Sequence, residues 1–145
     1  MALISTGKSA KVEVFLPNRD RDGALVHNHE QWVQQAVVAL ASTALGGGGC
    51  SVREERGYWN GRWEQTTVVY VYVQVGLNSS YQRSKLFNAL ERLVEPLLRA
   101  FKRETNQEAV ALTVDGQWYA LGYDARDEDA APAVGDGPES TTRRG

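Results

Sequence analysis

The polar stretch after residue 17 has the residue types and the spacing of half a calcium-binding loop. Asn18, Asp20 and Asp22 alternate with other residues, and Gly23 comes next, where such a loop turns sharply. The twelfth position of a calcium loop requires a bidentate glutamate, but His29 occupies it. Asparagine and aspartate side chains also bond to the backbone of ordinary turns. The sequence therefore favours a solvated turn over a calcium site.

His27, His29 and Glu30 form a second candidate metal cluster. Imidazole and carboxylate groups at this spacing suit a transition metal such as zinc. The chain has only two histidines, so a closed site would need further carboxylates or a second subunit. Helix capping and solvation explain the same three residues. We therefore predict neither a bound metal ion nor another cofactor.

Cys50 is the only cysteine of the chain, and it lies between four glycines and a predicted strand. It has no partner for an internal disulfide. A nucleophilic thiolate would need a base beside it, whereas a small apolar residue at the start of a strand fits a core position. No other arrangement of residues predicts a catalytic centre. The sequence thus favours a non-catalytic protein over an enzyme.

Alternating side chains indicate the strands that must position the candidate residues. In the third predicted strand, Tyr70 and Tyr72 point to one side and the valines next to them point to the other. Phe15 of the first predicted strand shares the tyrosine side if Val14 and Leu16 face the core. The sequence therefore predicts an aromatic surface on the side of the sheet away from the core.

The order of the predicted elements indicates the fold class. The predicted strands cover residues 11–16, 50–59, 62–75, 109–114 and 117–121, and the predicted helices cover residues 28–45 and 80–103. Asn60-Gly61 and Asp115-Gly116 predict hairpin turns, since these residue types tolerate positive φ. The order β-α-β-β-α-β with a short C-terminal hairpin strand predicts an α+β, ferredoxin-like two-layer sandwich.

Two local signals refine the predicted helices. Asn28 followed by Gln31 has the spacing of a capping box, which predicts that the Asn28 side chain caps the first helix. Pro96 lies within the apolar stripe of the second helix, and a proline there predicts a kink or a restart.

Phe15, Tyr70 and Tyr72 are the first candidate binding residues. An aromatic patch on an open sheet face commonly has a partner, and two-fold dimers are the commonest oligomers of soluble proteins. We therefore predict a non-catalytic module that forms a homodimer through this face and binds a protein or small-molecule partner. A covering segment of the same chain is the alternative.

The predicted hairpin around residue 60 supplies further candidates. Trp59 and Trp63 are predicted to form a cross-strand pair, with Arg56 or Arg62 stacked on an indole. Such a cluster either binds a partner at the hairpin tip or only stabilises the hairpin. Trp59, Trp63 and Arg62 therefore join the candidate binding residues.

RNA-recognition domains share the same element order and stack bases on aromatic residues of their first and third strands. Phe15, Tyr70 and Tyr72 occupy matching positions and look like that family. The third-strand signature of that family begins with Lys/Arg-Gly, whereas this strand has Thr66-Thr67-Val68-Val69 instead. Residues 1–121 carry 13 basic and 12 acidic side chains, without the basic excess expected of a nucleic-acid binder. Single-stranded RNA is therefore a disfavoured partner.

A small enzyme of the dimeric α+β barrel type is a further alternative. In such proteins two sheets enclose a cavity between them. The polar groups that this chain would offer there are His27, His29, Tyr70, Tyr72 and Arg62.

Composition divides the chain into three parts. Residues 1–10 are predicted to be a flexible N-terminus, residues 11–123 the folded domain, and residues 124–145 a disordered acidic tail with 6 acidic and 3 basic side chains. No segment has the pattern of a signal peptide or of a membrane span. We therefore predict a soluble cytoplasmic protein without a membrane partner.

The motifs Gly48-Gly49-Cys50-Ser51-Val52 and Gly57-Tyr58-Trp59 precede a strand rich in threonine and valine. In these features residues 11–121 resemble small bacterial families of unknown function with ferredoxin-like folds. The resemblance implies the fold and no activity, and it carries over no catalytic residue.

Overall fold

The computed structural model describes residue 3 and residues 10–43, 49–59, 61–73 and 80–121. The strands are β1 (Ala10–Pro17), β2 (Cys50–Trp59), β3 (Arg62–Val73), β4 (Val110–Val114) and β5 (Gln117–Leu121). The helices are α1 (His29–Ala41), α2 (Ser80–Ala89) and α3 (Glu95–Glu104), and a π-helical turn (Leu90–Val94) joins α2 to α3. The predicted tail, residues 124–145, and most of the predicted N-terminal segment lie outside the described residues.

The five strands form one antiparallel sheet in the order β2-β3-β1-β4-β5. The first strand lies in the middle, where Val14 is opposite Val69 of β3 and Leu112 of β4. The predicted α+β class is therefore confirmed. The central position of β1 brings side chains from β3 and β4 to either side of it.

Two tight turns connect the hairpin strands at the predicted places. Gly61 and Gly116 have φ angles of 78° and 87°, and Asp115 has a φ of 53°. The turn at Gly61 places Trp59 opposite Arg62. The bounds predicted for β2, residues 50–59, coincide with those observed.

The hydrophobic core lies between the helices and one side of the sheet. Alternate residues of β1 and β3 fill that side, as the sequence pattern predicts, and they are almost completely buried. The largest fully buried side chains are Phe101, Leu16, Leu40, Leu86, Leu98, Val12, Val14, Val68, Val69, Val71, Val73 and Val94. Val68 is buried as well but does not face the helices, because the alternation of side chains along the strand places it on the opposite side of the sheet.

The start of α1 differs from the prediction. Asn28 has the left-handed φ of 62°, and its side chain forms no capping hydrogen bond, so the predicted capping box is wrong. A capping side chain needs an extended backbone at that residue, which Asn28 lacks. Its carbonyl instead accepts the N–H groups of Gln31 and Trp32. The helix is anchored by the His29 ring, which donates to the Leu16 carbonyl over 2.9 Å.

The second helical region is interrupted one turn before Pro96. The π-helical turn ends at Val94, and α3 then begins with Pro96 in its first turn. Proline has no N–H to donate and clashes with a regular preceding turn, which explains a break at this point. Among the described residues, none of the helices is both long and apolar enough to cross a bilayer.

Candidate functional site

The side of the sheet opposite the helices carries Glu13, Phe15, Tyr70, Tyr72 and Trp118, and we call it the outer face. The register places Glu13 opposite Tyr70 and Phe15 opposite Val68. Tyr72 is 49% exposed and Trp118 is 62% exposed, whereas the neighbouring Val69, Val71 and Val73 are buried. The predicted orientation of the two tyrosines away from the core is therefore confirmed.

Glu13 lies at the centre of the outer face and has three polar partners. Thr113 donates a hydrogen bond of 2.8 Å to one carboxylate oxygen, and Arg53 donates one of 2.7 Å to the other. The Lys11 ammonium lies 3.4 Å from the same carboxylate. Only 15% of the Glu13 side chain is exposed. A carboxylate this far buried is stable because each of its oxygens is paired.

These contacts change the acidity of Glu13. Burial raises the pKa of Glu13, but the hydrogen bonds from Thr113 and Arg53 and the charges of Lys11 and Arg53 outweigh burial. The pKa of Glu13 therefore lies below its usual value. The carboxylate is ionised at neutral pH and neutralises the cations beside it.

Two cations lie near the ring of Tyr70. The Lys11 ammonium is 4.8 Å from the centroid of the Tyr70 ring, and the Arg53 guanidinium is 5.2 Å from it. Tyr72 contacts Tyr70 edge to face, with 6.2 Å between ring centroids. Cations within about 6 Å of a ring face are attracted to it. The ring of Tyr70 is thus engaged, whereas about half of Tyr72 is open to solvent.

Trp118 joins the outer face from the edge strand. Its ring packs on Phe15, with 4.9 Å between centroids and 31° between planes. Tyr119, the next residue, contacts Phe87 of α2 on the helix side. The sequence pattern alone does not decide which of these two residues joins the aromatic surface, because the parity of a five-residue strand depends on its pairing partner.

Glu13, Arg53 and Thr113 were missed by sequence reasoning. A charged residue within an alternating strand reads as an ordinary solvated position. Only the pairing of β1 with both β3 and β4 shows that Glu13 lies between Tyr70 and Thr113. The alternation of Glu13 with Val12 and Val14 was the only signal in the sequence. It indicated that Glu13 lies on the outer face but not that it contacts Arg53 and Thr113.

The hairpin tip does not join the outer face as one aromatic cluster. Trp63 is opposite Tyr58, and their rings contact edge to face over 5.2 Å, so the predicted pair of Trp59 with Trp63 is wrong. A two-residue turn pairs Trp59 with Arg62 and puts Trp63 on the other side of the strand. The Arg56 guanidinium lies 4.8 Å from the centroid of the Trp63 ring. This is one of the two cation–indole contacts that the sequence predicts.

Arg62 is directed towards the loop that follows β1. Its guanidinium donates to the Arg21 carbonyl over 3.3 Å. Of the predicted binding residues, Phe15, Tyr70 and Tyr72 come together on the outer face. Arg62 lies beside the loop that follows β1, and Trp63 lies on the helix side of the hairpin.

The predicted calcium-loop residues form a hydrogen-bonded turn. The Asp20 carboxylate accepts the backbone N–H groups of Asp22 and Ala24, at 2.8 and 2.9 Å. Burial raises the pKa of Asp20, but these bonds and one from the Asn106 amide outweigh it, and the pKa lies below the usual value. Asn18 has a buried side-chain oxygen that has no hydrogen-bond partner in the described part of the chain.

The other predicted metal candidates point to different neighbours. His29 bonds to the Leu16 carbonyl, and Glu30 accepts a hydrogen bond of 3.4 Å from Gln34. His27 lines a surface groove of about 830 Å³ between α1 and α3, together with Trp32. Within the described part of the chain, no three histidine, cysteine or acidic side chains come together as a metal site would require.

Cys50 is partly buried and packs against the core. Burial raises the pKa of the Cys50 thiol, although a hydrogen bond from the Ser51 backbone opposes the effect. A thiol with a raised pKa is a poor nucleophile at neutral pH. The structure thus gives Cys50 the packing role that its sequence context predicts.

No protein-family model and no curated protein matches the chain. A phage SAM lyase in complex with S-methyl-5'-thioadenosine is 11% identical, with a TM-score of 0.48, over 85% of this chain and 96% of that chain. A phage SAM lyase in the apo state is 15% identical, with a TM-score of 0.47, over 86% and 98% of the two chains. A Bacillus cereus protein related to NIF3 is 15% identical, with a TM-score of 0.35, over 84% of this chain and 28% of that one. Similarity at this level assigns neither a family nor an activity.

Proposed function

We propose that this protein is a non-catalytic binding module that forms a homodimer through the outer face of its sheet. The observation that carries the proposal is the exposure of Tyr72 and Trp118, at 49% and 62%, on a face that the helices do not cover. Large apolar side chains exposed together on one surface typically mark an interaction site. Tyrosine and tryptophan are also the residue types enriched in interfaces.

We further infer that the domain is a ferredoxin-like sandwich. In support, β1 and β3 lie side by side in the middle of the sheet, and β2 and β4 flank them. β5 then extends the sheet beyond β4 as the second strand of a hairpin. A two-layer arrangement of this kind has helices on one side only, so the other side is available for a partner.

The charges of the outer face favour a second copy of the chain as the partner. Lys11 pairs with Glu13, and Arg53 pairs with both Glu13 and Glu55. Two positive and two negative side chains thus balance, so that two identical faces can approach without net repulsion. A two-fold dimer brings the same patch of both subunits together, which a neutral patch permits.

The same pairing weighs against an RNA ligand. The cations of the outer face that would contact phosphates are paired with Glu13 and Glu55. The ring of Phe15 is packed against Trp118, and Lys11 and Arg53 both lie near the ring of Tyr70. Bases need open ring faces on which to stack.

The size of the outer face sets the expected affinity. Five strands about 4.8 Å apart and about 20 Å long cover roughly 500 Å². Stable interfaces bury about 800 Å² on each partner, and small ones belong to weak complexes. We therefore expect a dimer that dissociates in the micromolar range.

Sedimentation velocity over about 1 to 100 μM tests the proposal in a concentration range where such a dimer forms. Tyr72→Glu and Trp118→Glu each place a charge on the outer face and should abolish the dimer. Tyr81→Glu is the matched control, since Tyr81 is 70% exposed on α2, away from the outer face. A wild-type monomer throughout this range, or equal loss of the dimer in the Tyr81 variant, would refute the proposal.

A further inference from the structure

Three arginines line one cavity at the end of the sheet where β1 stops and β3 begins. Arg19 and Arg21 belong to the loop that follows β1, and Arg62 is the first residue of β3. The cavity has a volume of about 360 Å³. This volume falls within the range of small-molecule sites. The cavity is separate from the exposed aromatic residues of the outer face.

Among the described residues, the three guanidinium groups bond only to neutral backbone oxygens. Arg19 donates to the Gly23 carbonyl over 2.8 Å, Arg21 to the Gln107 carbonyl over 3.2 Å, and Arg62 to the Arg21 carbonyl over 3.3 Å. Each guanidinium has five N–H donors, so most donors are left for a ligand. Within the described residues, none of the three arginines has a carboxylate at ion-pair distance.

The loop is shaped to admit Arg62. Gly23 has a φ of 88°, and a Cβ atom there would lie 2.6 Å from a terminal nitrogen of Arg62. Any side chain at residue 23 would therefore displace the guanidinium. Gln107, which is 5% exposed, holds the loop from the other side by donating to the Arg19 carbonyl over 3.1 Å. The convergence of the three arginines is thus supported by buried contacts.

Carboxylates on the same cavity limit the kind of anion that can enter. Asp20, Glu64 and Glu108 also line it. Asp20 is held by the Ala24 N–H and the Asn106 amide, so its charge is engaged within the turn. The two glutamates would repel a long polyanion such as a nucleic-acid backbone. A small anion can instead contact the arginines alone.

We propose that this cavity binds a small molecule through a phosphate group held by Arg19, Arg21 and Arg62. A phosphate monoester carries nearly two negative charges and three acceptor oxygens, which suits three guanidinium groups better than a single carboxylate does. Guanidinium also binds phosphate in a bidentate manner. Because the cavity is larger than a phosphate ion, it has room for a small organic group attached to the phosphate.

Calorimetric titration with inorganic phosphate, glycerol phosphate and sulfate tests this site on the full chain. Arg62→Gln and Arg21→Gln should each weaken binding of both phosphates about tenfold, because each removes a hydrogen bond between charged groups. Arg103→Gln is the matched control, because Arg103 pairs with Glu104 on α3, and it should change nothing. Tighter binding of glycerol phosphate than of phosphate would identify an organic phosphate as the ligand, and equal binding would identify the free ion.

A glycine variant tests the site without removing an arginine. Gly23→Ala should weaken phosphate binding by displacing Arg62, whereas Gly116→Ala, where φ is 87° and the space around the residue is open, should not. Thermal unfolding of each variant shows whether the fold is kept. Wild-type affinity in folded Arg62→Gln and Gly23→Ala, equal weakening in Arg103→Gln, or no binding by the wild type would overturn the proposal.

Discussion

The two sides of the sheet consist of alternate residues of the same strands, but different forces stabilise them. On the helix side, Val12, Val14 and Leu16 are completely or almost completely buried among other apolar side chains. On the outer face, Glu13 and Arg53 form charged hydrogen bonds that are partly open to water. The first side depends on apolar burial, which pH hardly affects and which salt does not weaken by screening. The second depends on ionised groups, so acid and salt weaken it.

The largest expected difference separates two neighbouring residues of β1. Leu16→Ala should lower the free energy of unfolding by about 2–5 kcal/mol, since it removes a completely buried side chain and leaves a cavity. Phe15→Ala should cost less, because the lost contact with Trp118 lies at the surface. Urea denaturation measures both changes. An equal loss in the two variants would contradict the assignment of the core to the helix side.

Removal of the charge at the centre of the outer face should have the next largest effect. Glu13→Gln should destabilise the protein by about 1–2 kcal/mol at neutral pH, because Arg53 and Lys11 lose an ionised partner. Glu91→Gln, which removes the same charge at an exposed position of the π-helical turn, serves as a control for altered net charge. Chemical denaturation at neutral pH should show a lower free energy of unfolding for Glu13→Gln alone.

The pH dependence of stability should separate the two faces further. Folding lowers the pKa of Glu13. The contribution of the Glu13 carboxylate to the free energy of unfolding is therefore complete above the unfolded-state pKa of about 4.3, and it is lost as pH falls through the lower folded-state value. Wild-type stability should therefore fall more steeply below about pH 4.3 than that of Glu13→Gln. Thermal melts between about pH 7 and pH 3 measure the two slopes. Parallel slopes would show that the carboxylate is not stabilised by folding.

A smaller effect is expected from the hydroxyl group of Thr113. Thr113→Val keeps the shape of the side chain but removes the hydrogen bond of 2.8 Å to Glu13, at a cost of about 1 kcal/mol. The variant should also raise the pKa of Glu13, since one of the bonds that lower it is gone. NMR titration of the Glu13 carboxyl carbon measures that change directly. An unchanged titration would assign the low pKa to the cations alone.

The smallest effect is expected at the edge of the network. The ammonium of Lys11 is 3.4 Å from Glu13, and the Lys11 side chain is 34% exposed. Exposed ion pairs of this kind contribute up to about 1 kcal/mol, so Lys11→Met should change stability by less than the Glu13 variant. A loss as large as that of Glu13→Gln would show that Lys11, rather than Arg53, is the main partner of the carboxylate.

Local patterns in the sequence predict one side of the sheet better than the other. The alternation of Val69, Val71 and Val73 with two tyrosines shows which residues face the core, because strand periodicity is local. The network around Glu13 depends on strands that are distant in sequence, and no local pattern contains their register. The pairing of Tyr58 with Trp63 was available in the sequence, since a two-residue turn at Asn60-Gly61 fixes which residues are opposite each other.

The cap of α1 shows a different limit. The spacing of Asn28 and Gln31 is that of a capping box, but the backbone of Asn28 is left-handed and its side chain forms no capping bond. The bond from His29 to the Leu16 carbonyl fixes how the helix meets β1. A tertiary contact thus overrides a local preference of about 1 kcal/mol.

The π-helical turn affects how the chain tolerates changes in length. Leu86, Leu90, Val94 and Leu98 are all buried although they are spaced four apart. In a regular α-helix each such step turns about 400°, so the buried side would drift by about 40° per step around the axis. The wider π-helical turn takes up the additional residue and reduces this drift. Deletion of one residue between Leu90 and Val94 should therefore leave α2 and α3 both facing the sheet, whereas the same deletion within α3 would rotate everything after it.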